Sequence, residues 1–231
     1  MARGAQLRGN GLMPDTSSNS SRKRAAVIVA HPDDEVLWCG GHILLHRDWD
    51  WQVWTLCRAG DPDRRPRFRR VLKYLGAEGG MADLDDGPDQ TPLAAEQVEQ
   101  TVLALIPSGA SFDLLITHGP GGEYTRHARH EECSRAVTAL WRDGRIRAKT
   151  LWCFAYDDGQ GTHLPRVSSQ AEMRVDLPDS VWKEKYRLIT EFYGFSAESW
   201  EARVTPREEG FTCLKAPDAS ERVTRNSPEA V

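Results

Sequence analysis

A histidine, a proline and three acids stand together in AHPDDE, Ala30–Glu35. Two more histidines, three residues apart, lie in GEYTRHARHEE, Gly122–Glu132. His31 and Asp34 flank Pro32, which stiffens the turn and holds the residue before it extended. Such a turn can aim an imidazole and a carboxylate at one point. Three carboxylates this close repel one another, and a divalent cation relieves the repulsion. Capping of the following helix by Asp33, Asp34 or Glu35 explains the same acids equally well. His127 and His130, at i and i+3 before a helix, can also face one centre. With His31 and Asp34 they make a two-histidine, one-carboxylate set with one histidine left over. That donor set suits Zn²⁺ with an open position for water, or Fe²⁺ or Mn²⁺.

Chemistry of this kind needs elements that bring the two segments together. AAVIVA, 25–30, reads as a strand buried on both faces. Val36 to about His46 reads as a helix, WQVWTLC (51–57) as a strand, and Phe68, Val71, Leu72 and Leu75 as a helical stripe. GGMADL is a short third strand, and Leu93 to Leu105 traces another helix. FDLLITH (112–118) is a strand, 131–142 a helix, and TLWCFAY (150–156) a strand. A final amphipathic helix carries Trp182, Tyr186, Ile189 and Tyr193, with Pro178 near its start. This alternation predicts an α/β fold, a mostly parallel sheet flanked by helices on both faces. Ligands of such sheets bind beyond the carboxyl ends of the strands. The loops expected there are HPDDE, RAGDPDR, DLDDGPD, HGPGGEYTRHARH and YDDGQGTH, and all carry charge or histidine.

The totals fit one such domain. The chain has 231 residues, 39% hydrophobic and 28% charged, with a net charge of −4. That balance gives no electrostatic reason to expect nucleic acid or an anionic membrane, and no apolar run is long enough to span one. Five cysteines, an odd number without a C-x-x-C pair, point to a reducing cytoplasm rather than to disulfides or structural zinc. Residues 1–24 and 215–231 are expected to be disordered tails around a domain at 25–214.

AHPDDE after a first strand, GG at 40–41, and GEYxxHxxH together resemble the LmbE/PIG-L family of metal-dependent N-deacetylases. The resemblance runs from about Ala25 to Trp141 and fades beyond. It implies a single Rossmann-like domain that hydrolyses N-acetyl groups, often on glucosamine conjugates such as N-acetylglucosamine glycosides. By motif position it implies His31, Asp34 and His130 as metal ligands and Asp33 as general base. His127 would stabilise the oxyanion or protonate the leaving amine, and Tyr124 would be a mobile residue near the carbonyl. The partner is then a small N-acylated molecule and the cofactor zinc, with Fe²⁺ or Mn²⁺ as alternatives. Two departures stand out. Arg129 replaces an Asp that partners the catalytic histidine in the family, so Glu123 or Glu131 would have to orient His127. Trp38 replaces a small residue and would reshape the floor of the site.

Other residues carry weaker readings. Arg58 and Asp61 could hold substrate, or could belong to a loop salt bridge together with Asp63. Arg64, Arg65, Arg67, Arg69 and Arg70 form a solvated helix face, or a basic rim for an anionic substrate. His42 and His46 read as helix-face or core histidines, and His118 as a pocket-lining one. No G-x-G-x-x-G follows the first strand, which argues against a nucleotide-binding dehydrogenase. A non-haem iron enzyme with the same ligands, and a binding module using the arginine-rich helix, are the competing functions.

Overall fold

Six consecutive buried residues, Ala25–Ala30, make the first strand the hub of the molecule. The computed structural model describes residues 22–125 and 127–215. Odd-numbered residues of β1 (Arg24–Val29) face one hydrophobic core and even-numbered ones the other. Both faces of the strand are thereby sealed, which only a covered parallel sheet requires.

From β1 the chain runs through α1 (Asp34–Leu45), β2 (Asp50–Cys57), α2 (Arg64–Leu75) and β3 (Glu78–Leu84). It continues as α3 (Ala95–Leu105), β4 (Ser111–Thr117), α4 (Ala128–Arg142) and β5 (Arg147–Phe154). The sheet order is β3-β2-β1-β4-β5-β9-β8, with β1 to β5 parallel. Phe68, Val71, Leu72 and Leu75 of α2 pack with α1 on one face, while Val98 and Val102 of α3 pack with α4 on the other. The order reverses between β1 and β4. A crevice at the carboxyl ends of two such neighbours is where ligands bind in open α/β sheets. Ala25–Ile28 pairs with Leu114–Thr117, so the loops after β1 and β4 leave side by side. The first loop carries His31, and the second leads into α4, whose first turn carries His130.

The last third departs from the sequence reading. β6 (Tyr156–Asp157) and β7 (Arg166–Val167) form a small hairpin outside the main sheet. β8 (Met173–Asp176) and β9 (Glu208–Lys215) extend the sheet, with β9 antiparallel to both β5 and β8. The amphipathic stripe from Trp182 spans α5 (Asp179–Arg187) and a π-helical turn, Leu188–Phe192. It is not the final helix, because α6 (Trp200–Val204) follows. The disordered-tail expectations fall mostly outside the described residues. At their inner ends, however, Arg24 already opens β1 and Lys215 closes β9.

β9 also explains the glycine pair. Glu209 is fully buried and accepts the backbone N–H groups of Gly41 and His42, each at 2.7 Å, in the middle of α1. Lys185 of α5 pairs with the same carboxylate at 2.6 Å. Tyr156 donates its hydroxyl to the Trp38 carbonyl, which the opened turn of α1 leaves free. A Cβ on Gly41 would stand 2.4 Å from Leu177 and 2.9 Å from Glu209.

Candidate metal centre and active site

The turn after β1 separates the three acids by function. Asp33, just before α1, is a non-glycine residue at φ 137°, a strained conformation. No side chain at this position caps the helix. Glu35 instead reaches back to accept the Asp33 N–H at 3.0 Å and takes the Tyr193 hydroxyl on its other oxygen. Burial pushes the Glu35 carboxyl up to about 8. Asp34 turns inward, toward the loop after β4.

There His31, Asp34 and His130 converge. His31 Nδ1 is 3.2 Å from both Asp34 Oδ2 and His130 Nε2, and the last two atoms are 3.4 Å apart. A tetrahedral ion with N and O ligands at about 2.0–2.1 Å spaces them by about 3.3–3.4 Å. The three atoms therefore already form one face of such a tetrahedron, and the donor set fits a divalent metal.

Each ligand is braced from behind. His31 turns Nε2 to Asp86 at 3.1 Å, and Asp86 is bonded by Arg58 Nε at 2.8 Å. Burial works against the Asp86 charge, yet His31 and Arg58 hold its pKa down at about 2. Asp34 receives the Trp38 indole N–H on Oδ1 at 3.1 Å and the His31 backbone N–H on Oδ2 at 2.8 Å, which fixes the carboxylate with Oδ2 toward the two histidines. Trp38 is fully buried and does not line the cleft, and its effect on the site runs through this bond to Asp34. His130 Nδ1 lies 2.6 Å from Glu123, whose same oxygen is 2.8 Å from His118 Nδ1. His118 is fully buried behind His130, its ring stacked at 4.0 Å, and does not line the cleft. Its neighbouring carboxylates, against the effect of burial, raise the His118 pKa to about 9. Nevertheless the Ala30 N–H occupies Nε2 at 2.9 Å, an acceptor role that only the neutral ring fills. Gly119 permits this loop to pass β5, since a Cβ there would be 2.6 Å from the Phe154 carbonyl.

A cleft of about 260 Å³ opens over His31 and Asp34, with His130 fully buried behind them, and is lined also by Asp33, Leu37, Arg58, Arg64, Asp86, Tyr124, His127, Trp200 and Glu201. The Asp33 carboxylate accepts from Arg64 at 2.9 Å. Burial and the Asp34 charge raise it to about 7 against the pull of Arg64. The His127 ring lies against His31 and His130 at 4.6 and 4.3 Å. Its Nδ1 is buried without a partner among the described residues. Burial, with His130 and His31 beside it, pulls its pKa to about 3. Tyr124 packs edge-on to His127 and His130 and against Trp200.

Several sequence readings are corrected here. Glu123 braces His130 and His118, not His127, and Glu131 meets His127 only through its backbone N–H, which donates to the His127 carbonyl at 3.4 Å; among the described residues neither acid reaches the ring. Arg129, in place of the family's Asp, is buried and bonds the Asp85 and Thr91 carbonyls and Glu132. It clamps the loop that carries Asp86. Asp61 lies outside the cleft and accepts the Asp63 and Arg64 N–H groups at the start of α2. The arginine-rich helix is only partly a solvated face. Arg64 reaches Asp33, while Arg67 and Arg70 bond carbonyls of the Glu191–Tyr193 segment. Asp86, Arg64, Trp200 and Glu201 were not assigned as site residues from sequence. The charged loops RAGDPDR and DLDDGPD, placed on the rim by topology, contained Arg64 and Asp86, and nothing in the sequence pointed toward Trp200 or Glu201.

Residues 26–141, half of the chain, match the PIG-L family, GlcNAc-PI de-N-acetylase. No curated protein matches the chain. Among solved structures it is similar to N,N'-diacetylchitobiose deacetylase from Pyrococcus horikoshii, at 15% identity and TM-score 0.61, covering 87% of this chain and 89% of the other. It is similar to the zinc-inhibited form of a teicoplanin deacetylase, at 13% and 0.59, covering 85% and 100%. It is also similar to the 4-carboxy-2-hydroxymuconate hydratase of Pseudomonas putida KT2440, at 17% and 0.57, covering 84% and 97%. At these identities the likenesses bear on the fold alone.

Proposed function

The chain belongs to the PIG-L family and is a metal-dependent N-deacetylase; we propose that it removes an N-acetyl or other short N-acyl group from an amino sugar or related small conjugate. The observation that carries this reading is the tetrahedral face formed by His31, Asp34 and His130 beneath a cleft that also holds Asp33. Those three would hold the metal, for which the nitrogen and oxygen donors favour zinc, with Fe²⁺ or Mn²⁺ as alternatives. When bound, the ion supplies Lewis-acid polarisation of the amide carbonyl and a water acidic enough to attack it.

Asp33 takes the proton of the attacking water, with Arg64 fixing its carboxylate. Among the described residues no acid bonds His127 Nδ1, and burial with His130 and His31 outweighs the pull of Asp34 and Asp86, so the ring stays neutral. It acts as a neutral N–H donor to the oxyanion that develops on the substrate carbonyl. Asp33 then returns the proton to the departing nitrogen, and amine and carboxylate leave. Leu37 and Tyr124 offer apolar contact to the acyl group. The five cysteines are all unpaired, four of them buried, which favours the cytoplasm. Among the described residues no helix is long and apolar enough to cross a membrane.

Metal analysis of the purified protein, followed by anaerobic acetate and free-amine assays over N-acetylated sugars, tests the proposal. Release of acetate without O₂ also separates it from an iron oxygenase. Asp33→Ala is expected to keep the metal and lose about 10²–10⁴-fold in turnover, and His130→Ala to lose the metal. Near-normal turnover by Asp33→Ala removes the base assignment.

A further inference from the structure

Two residues of the cleft take no part in the proposed chemistry. Trp200 and Glu201 enter it from α6, far from the motifs in sequence. The helix is held firmly. Ser199 caps it by accepting the Ala202 N–H at 3.1 Å, and Ala202 and Val204 are buried. The Trp200 indole is half-buried, packed edge-on to Tyr124 at 4.8 Å and to Trp38 at 6.4 Å. Among the described residues, the Glu201 carboxylate enters no hydrogen bond or ion pair.

The charges of the cleft are unevenly committed. Its two arginines are both engaged, Arg58 by Asp86 and Arg64 by Asp33. Asp34 belongs to the metal site. What remains for a ligand, among the described residues, is an aromatic face and one unengaged carboxylate, with no arginine or lysine of the cleft lining left unengaged. Beyond Arg58 and Asp86 the surface continues into a depression of about 660 Å³ that adds Asp61, Asp83 and Asp85. A phosphate or carboxylate on the ligand would meet acids on both sides. A pyranose, by contrast, has an apolar C–H face to lay on an indole and hydroxyls to donate to a carboxylate.

We propose that Trp200 and Glu201 form the recognition wall of the cleft, accepting a hydroxyl-rich pyranoside that carries no anionic group and rejecting its phosphorylated counterpart. This rests on the deacetylase reading for the position of the acetamido group. It runs against a basic rim for anionic substrates.

Calorimetric titration of the metal-free protein, which cannot turn over, tests the wall separately from the chemistry. The probes are methyl N-acetyl-β-glucosaminide and N-acetylglucosamine 1-phosphate. The neutral glycoside is expected to bind at least about tenfold more tightly than the phosphate ester. Glu201→Gln is expected to weaken the glycoside about tenfold, the size of a lost charge-assisted bond, and to narrow the gap between the probes. Trp200→Ala should weaken both, while Glu201→Asp should recover part of the glycoside binding. Equal or tighter binding of the phosphate ester, an unchanged affinity in Glu201→Gln, or no binding of either sugar overturns the proposal. Acetate release by the metal-loaded protein from any N-acetylated amine would then still uphold the deacetylase. Intact sugar binding without acetate release leaves the wall standing and removes the reaction.

Discussion

Glu123 is the residue on which the metal centre turns. One carboxylate oxygen meets the Nδ1 atoms of both His130 and His118. His130 is thereby fixed as a neutral ring that presents Nε2 to the ion. Glu123→Gln keeps one acceptor and loses the charge. Metal affinity should fall about tenfold or more, measured by competition with a chromophoric chelator, and thermal stability should fall with it, because the amide NH₂ must face either the buried Gly119 N–H, which Glu123 now accepts at 3.0 Å, or the two imidazoles. The residues that the fold brings together were visible in the sequence because each group is short and local, His31 with Asp34 and His127 with His130. Their braces were not. Asp86 is 55 positions from His31, and the Trp38–Asp34 bond is visible only once α1 is wound. Arg129 illustrates the limit most clearly. The substitution could be seen from the motif, but its consequence, a clamp on the loop bearing Asp86, depends on where that loop runs.

At the scale of elements, the parallel half of the sheet could be read from periodicity. Its strands are continuous apolar runs and its helices carry clear stripes. β8 and β9 could not, because MRVD and EEGFTCLK alternate charge with only one or two large apolar residues. The stripe of α5 passes unbroken through the π-helical turn, so periodicity alone hid the change of helix. The glycine pair of α1 shows the same dependence on distant partners. Gly41→Ala drives a methyl group into Leu177 and Glu209. Overpacking of this kind costs about 1–3 kcal/mol, to be read as a lowered denaturation midpoint. Metal affinity should fall with it, since α1 begins at the ligand turn.

At the scale of the whole molecule, a titrating weakness lies outside the site. His42 of α1 is buried among Trp49, Trp51, Trp152 and Phe211, and neither ring nitrogen finds a partner among the described residues. Burial, with the charges of His46 and Lys23, takes its pKa from 6.5 to about 3. Below 6.5 the unfolded chain binds a proton there that the folded chain refuses. The contribution of this group is therefore complete above 6.5 and is lost as pH falls from 6.5 toward about 3. His42→Leu should flatten that part of the stability profile, measured by urea denaturation across the acid range. The bond from Glu209 into α1 reaches further still. Gly41 and Glu209 are 168 positions apart, so the helix behind His31 and Asp34 lacks its anchor until β9 has left the ribosome. A nascent chain cut short before β9 would carry every ligand and still hold metal poorly, which makes catalytic competence a late event in the life of each copy.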